Sequence, residues 1–127
     1  MAAAAKSSNS PFVGIWRATD PVDGSTLTAV ITGSQAAGFS FFEYDNYASG
    51  CVSVLPPDPG VKPVGTITAT GNLVSKNVLS VSGTVTCIDL VTGATWQSSY
   101  SYTLTYNPSA HTLLSNYNEL FHRISRL

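Results

Sequence analysis

Glu43 and Asp45 stand two residues apart in the segment that begins with Phe39 and Phe41. On an extended chain that spacing puts both carboxyls on one face, alongside the two rings. A carboxyl held among aromatic side chains loses hydration, its proton affinity rises, and it can serve as a general acid or base near neutral pH. Glu43 and Asp45 are therefore the candidate catalytic residues. The competing role for the pair is a strand turning polar as it leaves the end of a barrel for its loop.

A second constellation lies at 94–106. Alternation places Trp96, Ser98, Tyr100, Tyr102, Leu104 and Tyr106 on one face, and a row of threonines, serines and a glutamine on the other. Turned inward, the ring-bearing face supplies the apolar wall with sparse hydroxyls that small-molecule pockets use. A strand packed into a solid core carries the same pattern. Phe39, Phe41, Trp96, Tyr100 and Tyr102 are the candidate ligand-binding residues.

Other chemistry is thin. His111 and His122 match no metal-ligand spacing, and the sequence places no acid/base partner beside either. Asp20 and Asp23 belong to a Pro- and Gly-containing turn, where aspartates bond their own backbone. No G-x-S-x-G elbow occurs among the 17 serines. No metal and no cofactor is expected. The two cysteines, Cys51 and Cys87, both fall in strand-like runs. A bridge between them would close a loop of about 36 residues, worth roughly 4 kcal/mol in the chain-entropy account; two buried free thiols are the alternative.

The elements that must position these groups read as short alternating strands. They fall at 12–19, 26–32, 39–45, 64–70, 78–88, 94–106, 112–114 and 120–124, separated by Gly, Pro, Asn and Asp turns. The stretch 46–63 is the longest loop; four of the seven prolines lie at 56–63, so no central strand continues there. A loop of that length on a small barrel is expected to act as a lid or lip. Eight or nine strands and no helix predict an all-β, antiparallel up-and-down β-barrel. Residues 1–10 are expected to be a disordered arm, and 11–127 a single domain.

Only thirteen of 127 residues are charged, for a formal net charge of −1, and no basic run or stripe occurs. Nucleic acid and anionic membrane surfaces both demand a clustered positive footprint, so neither is an expected partner. No apolar stretch reaches the length of a membrane-spanning helix, and membrane insertion is not expected. Serine and threonine fill the solvent-facing strand positions that lysine and glutamate often take. That composition, with the cysteine pair, favours an extracytoplasmic or secreted setting; a signal segment is not recognisable at 1–6, which leaves a cytoplasmic one open.

The triplet Gly14-Ile15-Trp16 near the start and Arg123 near the end resemble the calycin group, which comprises lipocalins, fatty-acid-binding proteins and avidins. In lipocalins the corresponding Trp packs at the closed end of the barrel, and an Arg from near the last strand lies over it. The resemblance thus implies that Trp16 and Arg123 close the base. Taken with Cys51, Cys87 and His122-Arg123, the pattern is also similar to small secreted bacterial lipocalin-like domains of unassigned function, which supports a disulfide. The helix that follows the lipocalin barrel has no counterpart in this sequence.

Three functions fit this reading. The first is a monomeric or homodimeric barrel that binds a small apolar or aromatic molecule. The second is a barrel-pocket enzyme that folds a hydrophobic substrate for cyclisation or isomerisation, with Glu43, Asp45 or a tyrosine moving the proton. The third is a filled barrel with a structural or adhesive role and no pocket.

Overall fold

Alternating apolar and hydroxyl residues build eight strands wherever the turns leave room for them: β1 (Gly14–Thr19), β2 (Thr26–Ser34), β3 (Gly38–Asp45), β4 (Pro63–Ser75), β5 (Val78–Asp89), β6 (Thr95–Asn107), β7 (Thr112–Ser115) and β8 (Leu120–Ser125). The structure is a computed structural model that describes residues 10–127. The arm expected at 1–10 lies, apart from its last residue, outside that range. Each strand pairs antiparallel with the next, and β8 returns to β1, giving a closed up-and-down barrel. Among the described residues the one helical element is a 3-10 turn, Ser49–Cys51.

Closure explains the first glycine. Gly14 has φ +149°, and a Cβ there would sit 2.6 Å from the Ser125 carbonyl oxygen of β8. Only a residue without a side chain lets the two strands meet at this point. Two positions on, Trp16 is fully buried and faces Arg123 in the β1–β8 register. The Arg123 guanidinium carbon lies 4.5 Å from the ring centroid, a cation–π contact. Trp16 Nε1 donates to the Phe12 carbonyl at 2.9 Å, and Arg123 Nη2 donates to the Pro11 carbonyl. These bonds fold the chain before β1 across the barrel end, where Phe12 plugs it against Phe39 and Tyr106. The strand expected from residue 12 therefore begins at Gly14, and Phe12 serves as a stopper.

Above this base the interior is packed. Ile31, Phe39, Phe41, Leu79, Val81, Leu104, Leu113 and Phe121 are all buried in one cluster. The outer faces of β4 and β5 carry the Ser and Thr residues that keep the sheet hydrated.

The opposite end is the mouth, bounded by residues 20–25, 46–62, 90–94 and 116–119. Prolines stop the sheet in the 46–62 loop as expected, yet the loop is well tied. Cys51 belongs to the 3-10 turn rather than to a strand, because Ala48 N bonds Pro63 O and the Cys51 N–H turns back to Ala48 O. A disulfide joins Cys51 to Cys87 on β5. Leu55, Val54, Val61 and Ala94 pack around it as a second small core. Asp89, fully buried at the end of β5, accepts bonds from the backbone of Lys62 and Val91 and from the Thr92 hydroxyl, anchoring two mouth loops at once.

Candidate functional site

Register decides what faces the mouth. Leu27, Asp45, Gly65, Cys87 and Trp96 are successive cross-strand partners and form one inner row. The row beneath runs Ala29, Glu43, Ile67, Val85 and Ser98. Side chains two apart on a strand point the same way, so Glu43 and Asp45 share a face as their spacing required, and the register turns that face inward. Gly65 is small where Ala48 of the loop crosses: a Cβ would approach the Ala48 methyl to 3.2 Å.

Between these rows and the loop lies a half-open cleft of about 370 Å³. Leu27, Ile67 and Val85 give it an apolar floor; Trp96 and Tyr100 give it ring walls; residues 48–51, with the disulfide, form its lip. Trp96 is 38% exposed, high for a tryptophan in a barrel interior, because none of the described residues covers it on the cleft side. Tyr100 meets Tyr102 edge-on at 5.3 Å and Tyr117 of the β7–β8 turn at 6.0 Å.

Five of the seven acidic residues of the chain line this cleft: Asp20, Asp23, Glu43, Asp45 and Glu119. Among the described residues no Lys, Arg or His does. Asp20 accepts from Val22 N and Asp23 from Ser25 N, the local turn bonds expected of them, and Asp23 also accepts from Ser49 N of the lip. Burial raises Asp23, but the hydrogen bonds from Ser25 and Ser49 outweigh it and hold that carboxyl below its usual range. One carboxylate oxygen each from Asp20, Asp23 and Asp45 lies within 4.8 Å of the other two.

Glu43 is the deepest of the five, 4% exposed. Its Oε1 accepts a 2.8 Å hydrogen bond from the Tyr102 hydroxyl. Burial pushes its carboxyl up to about 8; the Tyr102 bond opposes this, and the neighbouring Glu119, Asp45 and Asp20 add to it. Burial likewise raises Asp45 and Glu119 above their ordinary values. Desolvation and the nearby carboxylates push the Tyr100 and Tyr102 hydroxyls up as well.

The candidate ligand residues thus separate by depth. Trp96 and Tyr100 border the cleft, whereas Phe39 and Phe41, each 2% exposed, lie in the packed layer below with Tyr102. Phe41 and Tyr102 stack edge-on at 5.8 Å. Glu119 and Tyr117 escaped the sequence reading because a short turn carries them, and no periodicity marks which way a turn side chain points. His111, bonded through Nδ1 to Tyr106 Oη at 2.9 Å, and His122 lie away from the cleft. No protein-family model, no curated protein and no solved structure matches this chain.

Proposed function

We propose that this protein is a small-molecule binding barrel that seats an apolar or aromatic body in the mouth cleft, against Trp96 and Tyr100. The observation that carries this reading is the pairing of an open, ring-walled cleft with a filled base. About 370 Å³ is in the range of small-ligand sites, and the packed layer of Phe39, Phe41 and Tyr102 gives it a rigid floor. A barrel with a purely structural role has no use for an uncovered Trp96 facing inward.

The disulfide supports an extracytoplasmic or secreted setting. The barrel topology together with the Trp16–Arg123 closure supports a calycin-like assignment, in monomeric or homodimeric form. Native mass spectrometry of protein purified from its own host tests the binding reading. A retained small molecule in wild type that Trp96→Ala loses supports it; a molecule retained equally by Trp96→Ala places binding elsewhere and overturns it.

One observation favours a second reading, a barrel-pocket isomerase or cyclase. Glu43 touches the cleft with a proton affinity suited to exchange near neutrality. In that case Glu43 moves the proton, Tyr102 positions it, and Glu43→Gln abolishes turnover without loss of binding.

A further inference from the structure

The cleft joins two features that ordinary apolar pockets keep apart. Its floor and walls are apolar, and its rim and depth carry five carboxyls with no basic side chain among the lining residues. Elsewhere in the chain the cations are placed differently: Arg123 is committed to Trp16 at the base, and Arg17 lies on the outer face of β1.

Such crowding is costly without a partner, because like charges a few ångströms apart in a partly dry space repel. Glu43 shows the cost most plainly. It is more than nine-tenths buried, one oxygen is taken by Tyr102, and among the described residues nothing donates to the other, which belongs to a side chain lining the cleft. That second oxygen is open to the cleft rather than sealed in the core, so a polar group of a ligand can reach it.

We propose that the ligand is an organic cation, an ammonium group on an apolar or aromatic body, with its charge held between Asp45 and Glu119 above Glu43 and its body against Trp96, Tyr100 and Val85. This rests on the mouth-cleft binding reading and adds the charge of the ligand to it. The rings contribute twice, since the faces of Trp96 and Tyr100 attract a cation as well as an apolar surface. An organic ammonium suits the cleft better than a bare metal ion. The carboxylates of Asp20, Asp23 and Asp45 already accept backbone N–H groups, and three apolar side chains line the floor.

Calorimetric titration with three matched probes, 4-phenylbutylamine, 4-phenylbutanol and 4-phenylbutyrate, tests the proposal on the intact disulfide-bonded protein. The amine is expected to bind roughly ten- to a hundredfold tighter than the alcohol, the span of one or two charge-assisted hydrogen bonds, and the acid weakest. The double variant Asp45→Asn/Glu119→Gln should erase most of the amine's advantage over the alcohol. Trp96→Ala should weaken amine and alcohol alike. Equal binding of amine and alcohol overturns the cationic-ligand proposal and leaves the binding reading standing. No binding by any of the three overturns the binding reading, and the proposal with it. Calcium ions binding stoichiometrically and excluding the amine overturn the proposal in favour of an inorganic cation.

Discussion

Tyr102 Oη donates to Glu43 Oε1 at 2.8 Å, joining β6 to β3 across the barrel interior beneath the mouth. The pair fixes the carboxyl in place while burial drives its proton affinity up, so the fold holds an acid that is largely protonated at neutral pH.

Folding therefore draws a proton onto Glu43 throughout the range between its ordinary value of 4.5 and about 8. The stabilisation linked to the protonated form is fully present below the unfolded value, declines as pH rises, and is lost as pH passes the folded value. The slope approaches at most about 1.4 kcal/mol per pH unit for one group. Glu43→Gln should flatten the fall of Tm between pH 5 and pH 8.5 and make the variant the more stable protein at the upper end. Parallel curves for wild type and variant would contradict the assignment.

Gly14→Ala should open the seam between β1 and β8. Its Cβ meets backbone at 2.6 Å, and the φ of +149° disfavours any side chain, so a loss of about 2 kcal/mol or more is expected. Gly24→Ala supplies the contrast, because that glycine also has positive φ (+76°) but nothing within 4 Å of a Cβ. Chemical denaturation of the two variants should show the Gly14 change to be the more damaging.

Arg123→Lys should fail to replace arginine. The planar guanidinium lies on Trp16 and reaches the Pro11 carbonyl together, which an ammonium on a flexible stem does poorly. Both Arg123→Lys and Arg123→Met are expected to lower stability by about 1–2 kcal/mol. Hydrogen exchange should speed up at the Trp16 indole N–H, whose acceptor is the Phe12 carbonyl of the plugging segment.

Replacing both cysteines with serine should cost up to roughly 4 kcal/mol by the chain-entropy account, for a bridge spanning 36 residues. The damage should stay local in the native state. Beyond the rise that a lower global stability brings to every amide, extra exchange through local opening is expected at the amides of Cys51, Val54 and Leu55, which bond within the loop, and not at Trp16 in the base. A uniform rise across the barrel would contradict the separation of the two cores.

Much of this fold was legible in the chain. Period-two alternation from Thr26 to Asp45 and along β6 gave the strands and which residues share a face, though not which face of 39–45 turns inward, and the prolines at 56–63 marked the long loop. The Gly14-x-Trp16 and Arg123 resemblance pointed to the right partners at the base. What alternation does not carry is depth. Phe39 and Trp96 both face inward, yet one is buried in the core and the other borders open space, because register and strand tilt decide their height in the barrel. Turn residues hid the rest: the aspartates at 20 and 23 serve their own turns and the cleft together, and Glu119 lies on a turn of four residues. The placement of Cys51 in a 3-10 turn depends on the Ala48–Pro63 backbone bond, a long-range contact that local pattern does not encode.

The most direct test of the binding account is a two-dimensional NMR titration of ¹⁵N-labelled protein with 4-phenylbutylamine and 4-phenylbutanol. Saturable shifts confined to the Trp96 indole N–H and the amides of Ser49, Gly50, Cys51, Tyr100 and Glu119 are the predicted result. Saturable shifts on the outer face or around Arg123 instead, or none anywhere, would contradict it.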